Sequence, residues 1–160
     1  MSEKQKGMTV VKAGDSPAEK VQLVTVTKSF ADFKGMIETI EEVMHNFIDT
    51  KTGYWLGRTY KELQKTEKVL NEKIDGLLKM YGTEDEVKKT FSVDPKTMPA
   101  NYARYEKAFM DLMKEETEVN VYQMNVNDVV KRNPDFRFRG SWFVILEDVF
   151  TGELDDDLLQ

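Results

Sequence analysis

Residues 54–82, YWLGRTYKELQKTEKVLNEKIDGLLKMYG, decide how the rest of the chain is read. Leu56, Tyr60, Leu63, Glu67, Leu70, Ile74, Leu77 and Tyr81 follow one another at alternating steps of four and three. That spacing keeps them on one face of an α-helix. Glu67 is the carboxylate in this otherwise apolar and aromatic stripe. The spacing predicts a long helix closed by Gly82 in the left-handed conformation that glycine tolerates at a helix C-terminus.

Upstream, Ser29 opens a capping-box-like S-F-A-D. Phe30, Phe33, Ile37, Ile40, Met44 and Phe47 then repeat the three-four spacing. The reading is a second amphipathic helix ending near Ile48. The short link DTKTG, residues 49–53, predicts that the two helices lie antiparallel as a hairpin. Pro99 marks the first residue of a third helix to about Lys114, with Tyr102, Tyr105, Phe109 and Leu112 as its stripe. Between them, residues 83–98 read as a charged surface connection, with a short helical turn over Val87–Phe91.

The remaining segments change period. Val21–Thr27 is β-branched and free of Gly and Pro, so it reads as a strand. A second strand lies in ETEVNVYQMNV, with Val119 and Val121 on one face and Tyr122, Met124 and Val126 on the other. Residues 127–135 read as a turn, and FRF (136–138) as a continuation of extended chain. Ser141 can cap a short closing helix over WFVILEDVFT, for which a buried strand is the competing reading. The expected organisation is a mobile arm over residues 1–20 (Met8–Val11 could add a strand), a domain over 21–152 and an acidic tail over 153–160. The fold class expected is α+β and mainly helical. It has a long antiparallel helical hairpin, a third helix, a small antiparallel sheet of two or three strands and a short C-terminal helix.

The composition narrows function by subtraction. The 160 residues suit one domain; 40% are hydrophobic and 32% charged. There is no cysteine and one histidine, His45, so thiolate metal sites, Cys nucleophiles and His-based constellations lack their groups. No phosphate-binding glycine loop or nucleophile elbow is present. No apolar run approaches the roughly 20 residues that span a bilayer. The net charge of −6 disfavours general binding to phosphate backbones. The expectation is therefore a non-enzymatic cytoplasmic protein without cofactor or metal.

Four features remain as candidates. Glu67 is a candidate buried polar site, which would need a cationic or hydrogen-bonding partner; a stripe exposed at mid-helix is the alternative. His45 sits near a helix C-terminus, where a cation is favoured by the dipole. Lys131, Arg132, Phe136, Arg137, Phe138 and Arg139 interleave bases with aromatics. That pattern suits nucleic-acid stacking and phosphate contact, or simply Phe136 and Phe138 pointing inward from a strand while Arg137 and Arg139 lie outside or pair with nearby acids. Asp155, Asp156 and Asp157 form a candidate acidic docking tail, or a solvated end.

The order of segments resembles a group of small proteins of tailed bacteriophages and prophages. The matching parts are TKSFADFKGMIETIEEV, GRTYKELQKTEKVLNEKIDGLLKMYG, YEKAFMDLMKEETEVNVYQMNVNDV and FRFRGSWFVILEDVF, over about residues 21–151. The long first arm and the FRFR segment depart from that group. The resemblance implies a protein that binds a host factor or an assembly component in the host cytoplasm. A multi-copy virion structural or assembly protein, which could self-associate, is one alternative; a nucleic-acid-associated protein using residues 131–139 is another. It carries no catalytic residues onto this chain.

Overall fold

The computed structural model describes residues 9–12, 20–46 and 48–158, with the backbone alone at 9–12 and at residue 20. The chain is α+β and mainly helical. Two ten-residue strands, β2 (Lys20–Ser29) and β5 (Glu116–Asn125), form the centre of the sheet. They pair antiparallel from Gln22 opposite Gln123 to Ser29 opposite Glu116. β1 (Thr9–Lys12) adds antiparallel outside β2. The two-residue β6 (Phe150–Thr151) pairs parallel to the end of β5, giving the order β1-β2-β5-β6.

Ser29 ends β2 and caps α1 (Phe30–Met44): its hydroxyl accepts the Asp32 N–H at 3.1 Å. The Phe30 N–H donates to Glu115 O at 3.0 Å, tying the start of the helix to the start of β5. α1 stops at Met44, one turn earlier than its stripe suggests. The His45 N–H closes onto Glu41 O and the Asn46 side chain donates to Glu42 O, so side chains and cap together satisfy the last carbonyls. Ile48 lies beyond the helix; Phe47 lies outside the described residues.

α2 (Thr50–Tyr81) is 32 residues long, about 48 Å at 1.5 Å per residue. It begins six residues before Leu56, the first of its stripe, because Asp49 caps it, accepting the N–H groups of Lys51 and Thr52 at 3.0 and 3.1 Å. Gly82 closes it, but in extended rather than left-handed geometry (φ −98°, ψ −178°). Space explains this glycine: a Cβ there would stand 2.5 Å from Ser92 O and 2.6 Å from Leu78 O.

α1 and α2 are antiparallel, as expected. Met44 approaches Gly57, Tyr60 donates to Glu41, and Phe33 and Ile37 face Leu70 and Ile74. α3 (Pro99–Lys114) runs back along α2. Asn101 donates to Tyr81 O at 3.1 Å near one end, while Phe109 and Met113 reach Leu70 and Ile74 further along. Only Leu112 of its stripe is fully buried; Tyr102, Tyr105 and Phe109 are half-covered. The connection between α2 and α3 is a β-hairpin, β3 (Thr83–Asp85) with β4 (Thr90–Ser92), in place of the helical turn expected over Val87–Phe91. Lys89 at φ 54° makes the reversal, and the Asp85 carboxylate accepts the Val87 and Lys88 N–H groups.

The core joins Phe33, Ile40 and Val43 of α1, Trp55, Leu56 and Leu63 of α2, and Val119, Val121, Tyr122 and Met124 of β5. Both faces of β5 therefore bury side chains, and Val126 opens a helix instead of prolonging the strand. That helix, α4 (Val126–Arg132), replaces the turn expected at 127–135. Asn125 caps it by accepting the Asn127 and Asp128 N–H groups. FRF is not a strand. α5 (Gly140–Ile145) follows with Arg139, not Ser141, at its N-cap. It stops at Ile145, and the chain then turns into β6, so the expected helix and the competing strand each describe part of 140–151. Gly152 takes the left-handed conformation, φ 90°.

Candidate functional site

The C-terminal third forms a cleft. After α4, Asn133 and Pro134 turn the chain, and the Phe136 N–H donates to Asn133 O at 3.1 Å. Phe136 and Phe138 then meet edge to face at 4.5 Å between centroids. Trp142 stacks with Phe136 at 5.8 Å, and Phe143 lies 5.4 Å from Phe138. Trp142 is buried, while the three phenylalanines are half-buried. Beside them opens a cleft of about 660 Å³, lined by Phe136, Arg137, Phe138 and Phe143 on one side of the chain and by Leu154 and Leu158 of the tail.

The basic-aromatic segment does not present four free cations. Lys131 pairs with Asp155 at 3.3 Å. Arg132 pairs with Asp49 at 3.2 Å and donates to the Thr52 hydroxyl at 3.1 Å. Arg139 reaches Glu42 at 2.6 Å and lies over the Trp142 ring, whose Nε1–H donates to the same carboxylate at 3.0 Å. Arg137 is exposed on the cleft, and among the described residues no hydrogen bond or ion pair engages it. Inward phenylalanines with Arg139 paired to an acid and Arg137 lying outside describe the segment, although a loop rather than a strand carries them.

Asp49, in the link between α1 and α2, is a polar centre. Besides capping α2 it accepts from the Thr52 hydroxyl, from Asn133 Nδ2 at 2.7 Å and from Arg132. Its own N–H donates to Asn133 Oδ1 at 2.6 Å. Burial opposes its charge, but the hydrogen bonds from Thr52 and Asn133 and the Arg132 charge prevail, holding its pKa below the ordinary value. Asn133 is buried and also donates to Val129 O at 2.8 Å, so the network fastens α4 and the cleft loop to the start of α2. An Asp before a helical pattern, followed three residues later by Thr, was the available signal. Farther along α2, the buried Thr59 hydroxyl accepts the Tyr122 N–H at 3.0 Å, tying the helix to β5.

The other candidates are placed as follows. Glu67 is half-exposed rather than buried, and among the described residues no hydrogen bond or ion pair engages its carboxylate. It borders a small gap of about 60 Å³ between α1, α2 and α3. The alternative of a stripe opening to solvent at mid-helix applies. His45 is exposed at the C-cap of α1, with Nδ1 2.6 Å from Glu41 O. Asp155 is engaged by Lys131 and Asn127, while Asp156 and Asp157 are exposed in a single 3₁₀ turn, Asp156–Leu158.

One further ion pair holds the turn between α5 and β6 to β2: Lys28 Nζ lies 2.5 Å from Asp148 Oδ2. The hydrogen bond to Asp148 raises the lysine pKa against the opposing effect of burial. Among the described residues, no group of three or more His, Cys, Asp or Glu is placed to hold a metal, and no helix is long and apolar enough to cross a membrane. Compared with known proteins, the chain matches no family model, no curated protein and no solved structure.

Proposed function

We propose that this chain is a non-enzymatic accessory protein of the tailed-phage type that binds another protein in the host cytoplasm, with the cleft at residues 133–143 as its contact surface. One observation carries the reading. The cleft combines half-buried Phe136, Phe138 and Phe143 with an exposed Arg137. Aromatic and arginine side chains in a concave, partly desolvated setting are the groups that anchor protein interfaces. The pairing of Lys131, Arg132 and Arg139 with acids of the same chain favours a protein partner over nucleic acid, whose binding depends on free cations. Capture of the tagged full chain from host cells, with crosslinking and mass spectrometry, tests this. One protein should be recovered in stoichiometric amount and lost with Arg137→Glu, an exposed substitution that leaves the circular dichroism unchanged. Recovery of no stoichiometric partner refutes the reading.

A multi-copy virion or assembly protein is the competing reading, favoured by the half-covered stripe of α3 and by Met80 and Met110, which are 70% and 55% exposed. Such apolar surface suits contacts between copies. Sedimentation of the purified chain together with mass spectrometry of particles separates the two. A monomer absent from particles excludes self-assembly in the virion.

A further inference from the structure

The acidic end of the chain is seated on the cleft. Leu154 packs against the core, and both Leu154 and Leu158 contribute to the cleft wall beside Phe136, Phe138 and Phe143. Between them Asp155 meets Lys131 at 3.3 Å, and Asp156 and Asp157 face solvent. The segment is thus LDDDL, with two leucines four residues apart lining the cleft beside the aromatic side chains and one of its three acids, Asp155, paired to a base. A second side chain of α4 holds it beside Lys131: Asn127 donates to Glu153 O at 2.9 Å and to Asp155 Oδ1 at 3.0 Å, and accepts the Asp155 N–H at 2.8 Å.

We propose that residues 153–158 are a built-in competitor. The cleft takes a short acidic segment of a partner protein bearing two leucines four residues apart, and the chain's own tail of that chemistry holds that place along the cleft wall until displaced. Three features argue for this occupant. The tail shows which shape and polarity the aromatic wall accepts. Arg137 lines the same cleft with no partner among the described residues, so an incoming acid has a charge to meet that the tail leaves unmet. The latch is also of a releasable kind. The Lys131 and Asp155 side chains are 58% and 53% exposed, so salt screens the pair, and the Asn127 hydrogen bonds are exposed and exchange readily with water. A tethered segment competes at high effective concentration, so an otherwise weak latch still holds its place in the cleft wall.

This inference rests on the cleft being a protein-binding surface, and its test separates the two. The probe is a fluorescent peptide of sequence GELDDDL, residues 152–158, titrated by anisotropy onto the full chain. The wild type should bind it weakly. Two full-length variants that loosen the latch from the tail side, Asp155→Ala and Leu158→Ala, should each bind it at least fivefold more tightly, about the change expected when a tethered competitor is released. Adding Lys131→Glu to Asp155→Ala should abolish the gain, because Lys131 is the cation that this sequence meets, and raised salt should diminish it. Unchanged circular dichroism and thermal midpoints establish that each variant is folded. Equal binding to wild type and both loosened variants, or binding to none, overturns the proposal. A gain accompanied by concentration-dependent dimers overturns it in favour of tail exchange between copies. Capture of a stoichiometric partner without any peptide gain refutes the built-in competitor and leaves the binding role standing; failure of both assays removes both.

Discussion

Replacing Asp49 with alanine removes more than a helix cap. The N-cap itself is worth about 1 kcal/mol. The substitution also leaves the buried Asn133 amide without its Asp49 acceptor and Arg132 without its carboxylate, in a setting where those side chains of the ion pair are 25% and 20% exposed. An unmet buried polar group costs about 1–3 kcal/mol. Together the loss is about 3 kcal/mol at neutral pH. For a domain of this size that lowers the thermal midpoint by roughly 6–12 °C. Urea unfolding followed by far-ultraviolet circular dichroism measures it directly.

The pH dependence makes the test sharper. The folded pKa of Asp49 lies below its ordinary value of 3.8, so its charge stabilises the native state fully above that value. The contribution disappears as pH falls through the lower folded value. The gap between wild type and Asp49→Ala should therefore narrow in strong acid. Asp49→Asn, which still caps a helix well, should lose less than the alanine variant. A cost below about 1 kcal/mol for Asp49→Ala would refute the reasoning, because α4 and the cleft loop would then be held without this network.

Thr59→Val keeps the shape of a fully buried side chain but removes the acceptor for the Tyr122 N–H, so it should cost about 2 kcal/mol by chemical denaturation. Two glycines of α2 should respond with opposite signs. Gly82→Ala drives a methyl into two backbone carbonyls and should destabilise by about 2 kcal/mol, whereas Gly76→Ala meets nothing within 4 Å and should stabilise by up to about 1 kcal/mol in the same thermal scans. Leu63→Ala, at a side chain with no exposed surface, should cost about 3 kcal/mol; a cost under about 1 kcal/mol would mean that the site collapses around the lost volume.

The three amphipathic helices were legible in the residues because three-four spacing is a local property: Leu56, Leu63 and Leu70 share a face wherever the helix is placed, and all three are buried. The Ser29 cap and Pro99 were legible for the same reason, since each acts within one turn of its own position. The two central strands announced themselves through β-branched residues. What a stripe cannot specify is how far it is covered. Glu67 lies on the predicted face yet remains half-exposed, bordering a small gap between the helices. Thr52 and Thr59 look like polar surface in sequence and have no exposed area, because Arg132 and the Tyr122 backbone supply their partners from over 60 residues away.

The cleft belongs to that second kind of information. Each base of the FRFR region was visible as a charge, but which of them stays free depends on acids at 42, 49 and 155, brought in by α1, the start of α2 and the tail. The helices, the caps and the two long strands follow from interactions within a few residues. The Asp49 network, the lone Arg137 and the tail laid against the aromatic wall arise from contacts between distant segments. Only packing of the whole chain chooses those partners.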